Sequence, residues 1–179
     1  MRKRIAIDMD QVLADTLTHH LAIYNAEHDD KLTRDDLQGR RLYEAVDEVR
    51  RERVRSYPRA LDFFRHIPVM PGSQDVVAAL SERYEIFVTT AAMDYPTSFT
   101  AKYEWLREHF PTILDSHIVF CGDKGIIAAD YLIDDSPYNF ERFMGQGLLF
   151  SAPHNVHETR YPRVIDWLDV ARYFARAEA

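Results

Sequence analysis

The stretch Ile5-Ala6-Ile7-Asp8-Met9-Asp10-Gln11-Val12-Leu13-Ala14-Asp15 decides how the rest of the chain is read. Its first three residues are a short apolar run with charge on either side, the length of a buried strand rather than of a helix. Two carboxylates follow where that strand ends. Ligands in open α/β sheets bind outside the carboxyl ends of the strands, so acidic side chains placed there stand where chemistry happens. A carboxylate at Asp8 can attack phosphorus, and one at Asp10 can reach the leaving oxygen as general acid. A solvated acidic turn that caps a helix competes with this reading of the stretch taken alone.

Working outward, similar apolar runs recur at Tyr84-Glu85-Ile86-Phe87-Val88, His117-Ile118-Val119-Phe120, Tyr131-Leu132-Ile133 and Gly147-Leu148-Leu149-Phe150. Helical patterns lie between them, from Asp75 to Arg83 with Val76, Val77, Ala79 and Leu80 inward, from Thr97 to His109 with Tyr103, Leu106 and Phe110 inward, and from Tyr138 to Met144. Strands alternating with helices predict an α/β fold built on a doubly wound, parallel, five-stranded sheet. Residues 15–69 break the alternation: Leu17, Leu21 and Tyr24, then Leu42, Val46 and Val49, keep a helical period, and no strand is evident. This segment reads as a small helical cap inserted after the first strand, with residues 1–14 and 70–179 forming the core; Pro68 and Pro71-Gly72 mark the return.

At 179 residues, 46% of them hydrophobic, the chain is long enough to bury a full core. Lys and Arg number 22 against 29 Asp and Glu, and the net charge of −7 argues against a nucleic-acid polymer as partner. The single Cys121 offers neither an internal disulfide nor a zinc motif, which fits a reducing compartment. The basic start Met1-Arg2-Lys3-Arg4 runs through three apolar residues straight into Asp8, so it has no signal-peptide core. No run approaches the ~20 apolar residues that span a bilayer. The expectation is a cytoplasmic protein without a membrane partner, and a homodimer is compatible with the sequence.

Three further signals fall at the ends of successive predicted strands. Thr89 and Thr90 could hold phosphate oxygens through hydroxyls and free backbone N–H groups, with a helix N-cap as the plainer alternative. Lys102, in Ala101-Lys102-Tyr103-Glu104-Trp105-Leu106, is a cation available to a transferring phosphoryl group, and Lys124, in Cys121-Gly122-Asp123-Lys124, is a second candidate for the same task. Asp134 and Asp135 follow directly on an apolar strand. Crowding them beside Asp8 and Asp10 is costly unless a divalent cation sits among them, and an all-oxygen site that also holds phosphate suits Mg2+. Each signal is weak singly; their joint placement is what carries weight.

With those residues in view, the sequence resembles the haloacid dehalogenase (HAD) superfamily, whose first motif is Asp-x-Asp-x-[Val/Thr] with later Thr/Ser, Lys and acidic motifs. Phe63-Phe64 ahead of Pro71-Gly72, the gap from Thr90 to Lys102, and Ala129-Asp130-Tyr131-Leu132-Ile133-Asp134-Asp135 resemble its 5'(3')-deoxyribonucleotidase branch. The resemblance implies a Mg2+-dependent phosphomonoester hydrolase acting on a deoxyribonucleoside monophosphate. It implies Asp8 as nucleophile, Asp10 as acid/base, and Thr89, Thr90 and Lys102 as the phosphate grip. It also implies Mg2+ held by Asp8, the backbone carbonyl of Asp10, and Asp135, with Asp134 behind them. Gln11 departs from the pattern where Gly is common, Ser136 where Arg follows the acidic pair, and Thr16 where an aromatic is expected. The insertion lacks the Trp residues that line the base pocket in that branch and offers Tyr43 and Tyr57.

The cap would choose the leaving group, with His19, His20, Tyr24, Tyr43 and Arg40 or Arg41 as candidate contacts, a structural or solvated role being the preferred reading of each. His154 and His157 are spaced like metal ligands but lack a third, and a polar loop is the preferred reading. A receiver-type phosphoacceptor domain would carry its Asp on a middle strand and no long insertion after the first, the reverse of this chain. A non-catalytic binding protein of the same fold, and a phosphatase for another small ester such as a sugar phosphate, are the remaining alternatives.

Overall fold

The computed structural model describes residues 2–176. The described residues form one sheet of six parallel strands, β1 (Arg4–Asp8), β2 (Glu85–Thr90), β3 (Ile118–Phe120), β4 (Tyr131–Asp134), β5 (Gln146–Phe150) and β6 (Arg163–Val164). Their order is β3-β2-β1-β4-β5-β6. The five expected strands are all present, and the sixth is a two-residue edge paired to β5 at Leu149 and Phe150. Chain direction across the sheet reverses between β1 and β4, the crevice where such sheets take ligands.

Register does the positioning. Asp8 pairs with Thr89 on β2, and Ile7 pairs with Ile133 on β4, so Asp134 stands level with Asp8 on the neighbouring strand. Three neighbouring strand ends, β2, β1 and β4, thus present a hydroxyl, a carboxylate and a carboxylate in one row. Alternate residues face opposite sides of the sheet. Ile5, Ile7, Ile86, Val88, Ile133 and Leu148 join a large buried cluster, whereas Ala6, Leu132 and Leu149 face a smaller one closed by Phe140 and Phe143.

The regular structure of the insertion is helical, and its described residues contain no strand apart from an isolated bridge between Ala14 and Val69. It comprises α1 (Thr16–His28), α2 (Leu42–Ala45) and α3 (Glu48–Ser56), followed by single 3-10 turns at Tyr57–Arg59 and Phe63–Arg65. Asp15 caps α1, its carboxylate accepting the Thr18 N–H at 3.1 Å, and Asp47 caps α3 in the same way through Arg50 N–H at 3.0 Å. Leu17, Leu21, Tyr24, Leu42 and Val46 are buried as expected, but Val49 is exposed because α3 turns Val54 inward instead.

The core helices are α4 (Ser73–Ser81), α5 (Ser98–His109) and α6 (Trp167–Arg176). Val77 and Leu80 of α4 are buried and Ala79 is exposed. On α5 the inward stripe is Ser98, Ala101, Lys102, Trp105 and Leu106, which leaves Tyr103 on the exposed side. The expected helix from Tyr138 to Met144 is only a 3-10 turn, Pro137–Phe140, with Tyr138 and Met144 exposed. The connection from β4 to β5 closes at Gly145, where a Cβ would come within 2.6 Å of the carbonyl oxygens of Ala129 and Asp130.

Candidate active site

The loop after β1 is wound tightly on itself. Leu13 and Ala14 both donate to the Met9 carbonyl at 2.9 Å, and Gln11 N–H donates to the Ala14 carbonyl at 2.7 Å. From below, the Trp167 indole N–H donates to the Val12 carbonyl at 2.8 Å. This pins the turn so that Asp8 and Asp10 open on the same cavity of about 490 Å³, which Lys102, Lys124, Asp134 and Asp135 also line.

Lys124 lies between two of the carboxylates, its Nζ 2.5 Å from both Asp8 Oδ1 and Asp134 Oδ2. Burial alone would lower its pKa, but Asp134 and Asp8 override that and raise it. Lys102 comes from α5 with its Nζ 2.5 Å from Asp10 Oδ2, 2.7 Å from Thr90 Oγ1 and 4.4 Å from the centre of the Phe64 ring. Asp10 also accepts the Thr16 hydroxyl at 3.0 Å. Burial works to raise the Asp10 pKa; the charge and hydrogen bond of Lys102 win and hold it below the usual carboxylate range.

The remaining acids are less compensated. Burial, opposed by Lys124 and reinforced by Asp134 and Asp10, pushes the Asp8 carboxyl up to about 7. Burial, with Asp134 and Asp8 adding to it, raises Asp135 well above the ordinary range. Asp8, Asp134 and Asp135 each offer an oxygen within 4.8 Å of one another. Three buried carboxylates with all-oxygen donors and too little local positive charge fit a hard divalent cation. Asp134 is already occupied by Lys124, Ser136 N–H at 2.8 Å and Asn139 Nδ2 at 2.9 Å.

Six of the eight expected residues, Asp8, Asp10, Lys102, Lys124, Asp134 and Asp135, therefore line one cavity, and Thr89 and Thr90 stand at the end of β2 without lining it. Thr90 meets Lys102 and Asp10, while the Thr89 hydroxyl is buried without a hydrogen-bond partner among the described residues. Several contributors were not expected. Asn155 Nδ2 donates to the Asp135 carbonyl at 2.7 Å and to the Phe150 carbonyl at 2.8 Å, tying the end of β5 to the acidic pair. His154, read from sequence as part of a polar loop, lines the cavity with Nε2 3.1 Å from the Asp135 carbonyl, and burial followed by the charge of Arg41 lowers its pKa to about 4. His157 lies apart from it, against Gly39. No spacing rule marks these residues, since the contacts form between separate loops.

The walls come from the insertion. Leu17, His20, Arg40, Arg41, Tyr43, Arg55 and Arg59 line the cavity with Phe64 and Tyr95, whereas Tyr24, His19 and Tyr57 do not. Arg41 reaches the core side, with Nη2 3.4 Å from Ser136 Oγ.

Residues 2–179 match the family described as "5' nucleotidase, deoxy (Pyrimidine), cytosolic type C protein". A Bacillus subtilis protein named 5'(3')-deoxyribonucleotidase is 44% identical over 174 residues, covering 96% of this chain and 98% of that protein. A Staphylococcus epidermidis protein provisionally named for the same activity is 48% identical over 177 residues, covering 99% of this chain and 98% of that one. A solved structure described as a candidate HAD hydrolase from Bacillus subtilis, bound to magnesium, superposes with a TM-score of 0.61 at 12% identity, covering 97% of this chain and 99% of that one. That last likeness concerns the fold.

Proposed function

Because the chain belongs to the cytosolic type C deoxy-5'-nucleotidase family, we propose that it is a Mg2+-dependent phosphatase that removes phosphate from deoxyribonucleoside monophosphates through an aspartyl phosphate on Asp8. The observation that carries this reading is the meeting of two separately charged pairs in one cavity: Asp8 with Lys124, and Asp10 with Lys102. They give a nucleophile and an acid/base, each with its own cation.

Asp8 attacks phosphorus with the oxygen that Lys124 does not hold, and the bond from phosphorus to the leaving oxygen breaks as Asp10 gives that oxygen a proton. In the free protein Lys102 keeps Asp10 ionised; an incoming phosphate competes for the same ammonium group, so Asp10 can take up the proton it must donate. Asp10 then accepts a proton from the water that hydrolyses the intermediate. Lys102 and Lys124 stay beside the reacting phosphoryl oxygens and carry their charge. Asp8, Asp135 and the backbone carbonyl of Asp10 would hold Mg2+, with Asp134 orienting from behind. The ion would supply positive charge that keeps Asp8 ionised and screens the phosphoryl group.

The helical segment 15–69 serves as the cap. Its Tyr43 and Arg41, with Phe64 and Tyr95, give the cavity apolar walls and a few polar groups, and the volume suits a nucleotide-sized ligand. The protein is proposed to work in the cytoplasm. None of the described helices is long and apolar enough to cross a membrane, and the one cysteine, Cys121, is buried and free.

The test is phosphate release from deoxyribonucleoside, ribonucleoside and sugar monophosphates, with Mg2+ and with chelator, for wild type and Asp8→Asn. Mg2+-dependent release that favours deoxyribonucleotides and vanishes in Asp8→Asn is the expected result. Release confined to sugar phosphates moves the substrate, and Asp8→Asn with near-normal turnover overturns the mechanism.

A further inference from the structure

Gln11 combines two unfavourable features at one position. Its backbone is left-handed, with φ of 60°, a conformation that side-chain-bearing residues seldom adopt and that glycine takes freely. Its amide oxygen Oε1 is also buried and has no hydrogen-bond partner among the described residues. The other non-glycine residue with positive φ among the described residues, Asp29, has a structural reason, because it caps the C-terminus of α1 with its N–H on the Asn25 carbonyl. The Gln11 N–H is likewise bonded, to the Ala14 carbonyl at 2.7 Å, but that bond needs only the backbone, and a glycine would make it without strain. Gln11 follows Asp10 directly and lines the cavity that Asp8, Asp10, Thr16 and His20 share.

Strain and an orphaned polar atom coexisting beside a reactive group mark a side chain kept for what it does to the ligand. We infer that the Gln11 carboxamide positions the water that hydrolyses the aspartyl phosphate. This rests on the covalent mechanism proposed above. In that step the water oxygen bonds to phosphorus and the bond from phosphorus to the Asp8 oxygen breaks, returning Asp8 as a carboxylate. One water proton passes to the Asp10 carboxylate, and the other is held by Gln11 Oε1. The Asp10 oxygens are approached by Thr16, Thr90 and Lys102, so Asp10 alone is a poor guide for the water's orientation. In the first chemical step the ester oxygen in that place bears no proton, and Oε1 has nothing to accept. The two halves of the reaction therefore depend on Gln11 unequally.

The experiment compares wild type, Gln11→Gly and Gln11→Glu, with Mg2+ and p-nitrophenyl phosphate. It follows the nitrophenol burst, the phosphate retained on acid-quenched protein, and the unfolding midpoint. Gln11→Gly is expected to melt no lower than wild type, because glycine relieves the left-handed backbone. It should nevertheless turn over at least about tenfold more slowly, releasing a burst near one nitrophenol per site and accumulating phosphoprotein. Gln11→Glu, which keeps an acceptor oxygen at the same reach, should regain part of the hydrolysis rate. Unchanged turnover in Gln11→Gly overturns the inference, and so does slowed turnover without burst or trapped phosphate. The covalent mechanism is read separately from the stereochemistry at phosphorus in wild type, with an isotopically chiral thiophosphate ester: net inversion overturns it, whereas retention together with unchanged Gln11→Gly turnover overturns only the role of Gln11.

Discussion

Lys102 on α5 and Asp10 after β1 form a close ion pair, Nζ to Oδ2 at 2.5 Å, with the lysine side chain only 3% exposed. A buried ammonium group held by a single carboxylate and a threonine hydroxyl is poised to exchange partners when a dianion arrives. Replacing it tests that exchange. Lys102→Met is expected to lower kcat/KM for the preferred monophosphate by about 100-fold or more, while the fold persists because Met fills a similar volume against Phe64. Steady-state kinetics alongside circular dichroism checks this; a folded variant with near-normal kcat/KM would contradict the assignment.

Lys124 offers a second prediction. Removing a buried partner leaves its charges uncompensated, at about 3–5 kcal/mol, so Lys124→Met should unfold earlier without metal. Mg2+ binding to the uncompensated acidic trio should then recover part of the loss by mass action. Thermal unfolding with and without Mg2+ measures both effects, and the metal-induced rise in Tm should be larger in Lys124→Met than in wild type.

His20 makes stability depend on pH. Its ring packs on Phe63 at 4.8 Å, its Nε2 is buried without a hydrogen-bond partner among the described residues, and burial, then His19, lowers its pKa from 6.5 to about 4. The unfolded chain therefore binds the proton more readily. Its contribution is intact above pH 6.5, declines as the pH falls toward 4, and declines no further below that, with a total of at most about 3 kcal/mol. Denaturant melts of wild type and His20→Gln at pH 7 and pH 4.5 should show a smaller pH-dependent loss in the variant.

Trp167 ties the far end of the chain to the catalytic loop. Trp167→Phe keeps most of the apolar volume and leaves the Val12 carbonyl without its donor, which costs about 1–3 kcal/mol. The denaturation midpoint should fall accordingly. Activity should fall with it, because the same turn carries Asp8 and Asp10.

The sequence was readable where chemistry and periodicity coincide. The runs around Ile5, Ile86, Ile118, Leu132 and Leu148 became strands, and the acidic, hydroxyl and lysine residues following them gathered at the strand ends. It misled where the buried stripe contains polar residues. On α5, Ser98 and Lys102 face inward, so a search for apolar spacing selected Tyr103 and passed over Trp105. Trp167, Val170 and Phe174 on α6 keep a helical period and form its buried face. The two residues of β6 leave no pattern at all. Which lysine meets which carboxylate, and that Asn155 braces Asp135, depend on segments far apart in the chain that meet only after folding.

The insertion interrupts the chain without dividing the protein. Leu17, Leu21, Leu37, Leu42, Phe63 and Phe64 belong to the same buried cluster as Ile5, Ile133 and Trp105, and the Trp105 indole donates to the Ile67 carbonyl at 2.8 Å. No seam separates the part that selects a ligand from the part that reacts with it. Such a segment is not an interchangeable cassette: grafting a related one onto this sheet should lower the calorimetric unfolding temperature, because part of a shared interior is exchanged. Divergence in specificity is then expected to proceed one cavity-lining side chain at a time.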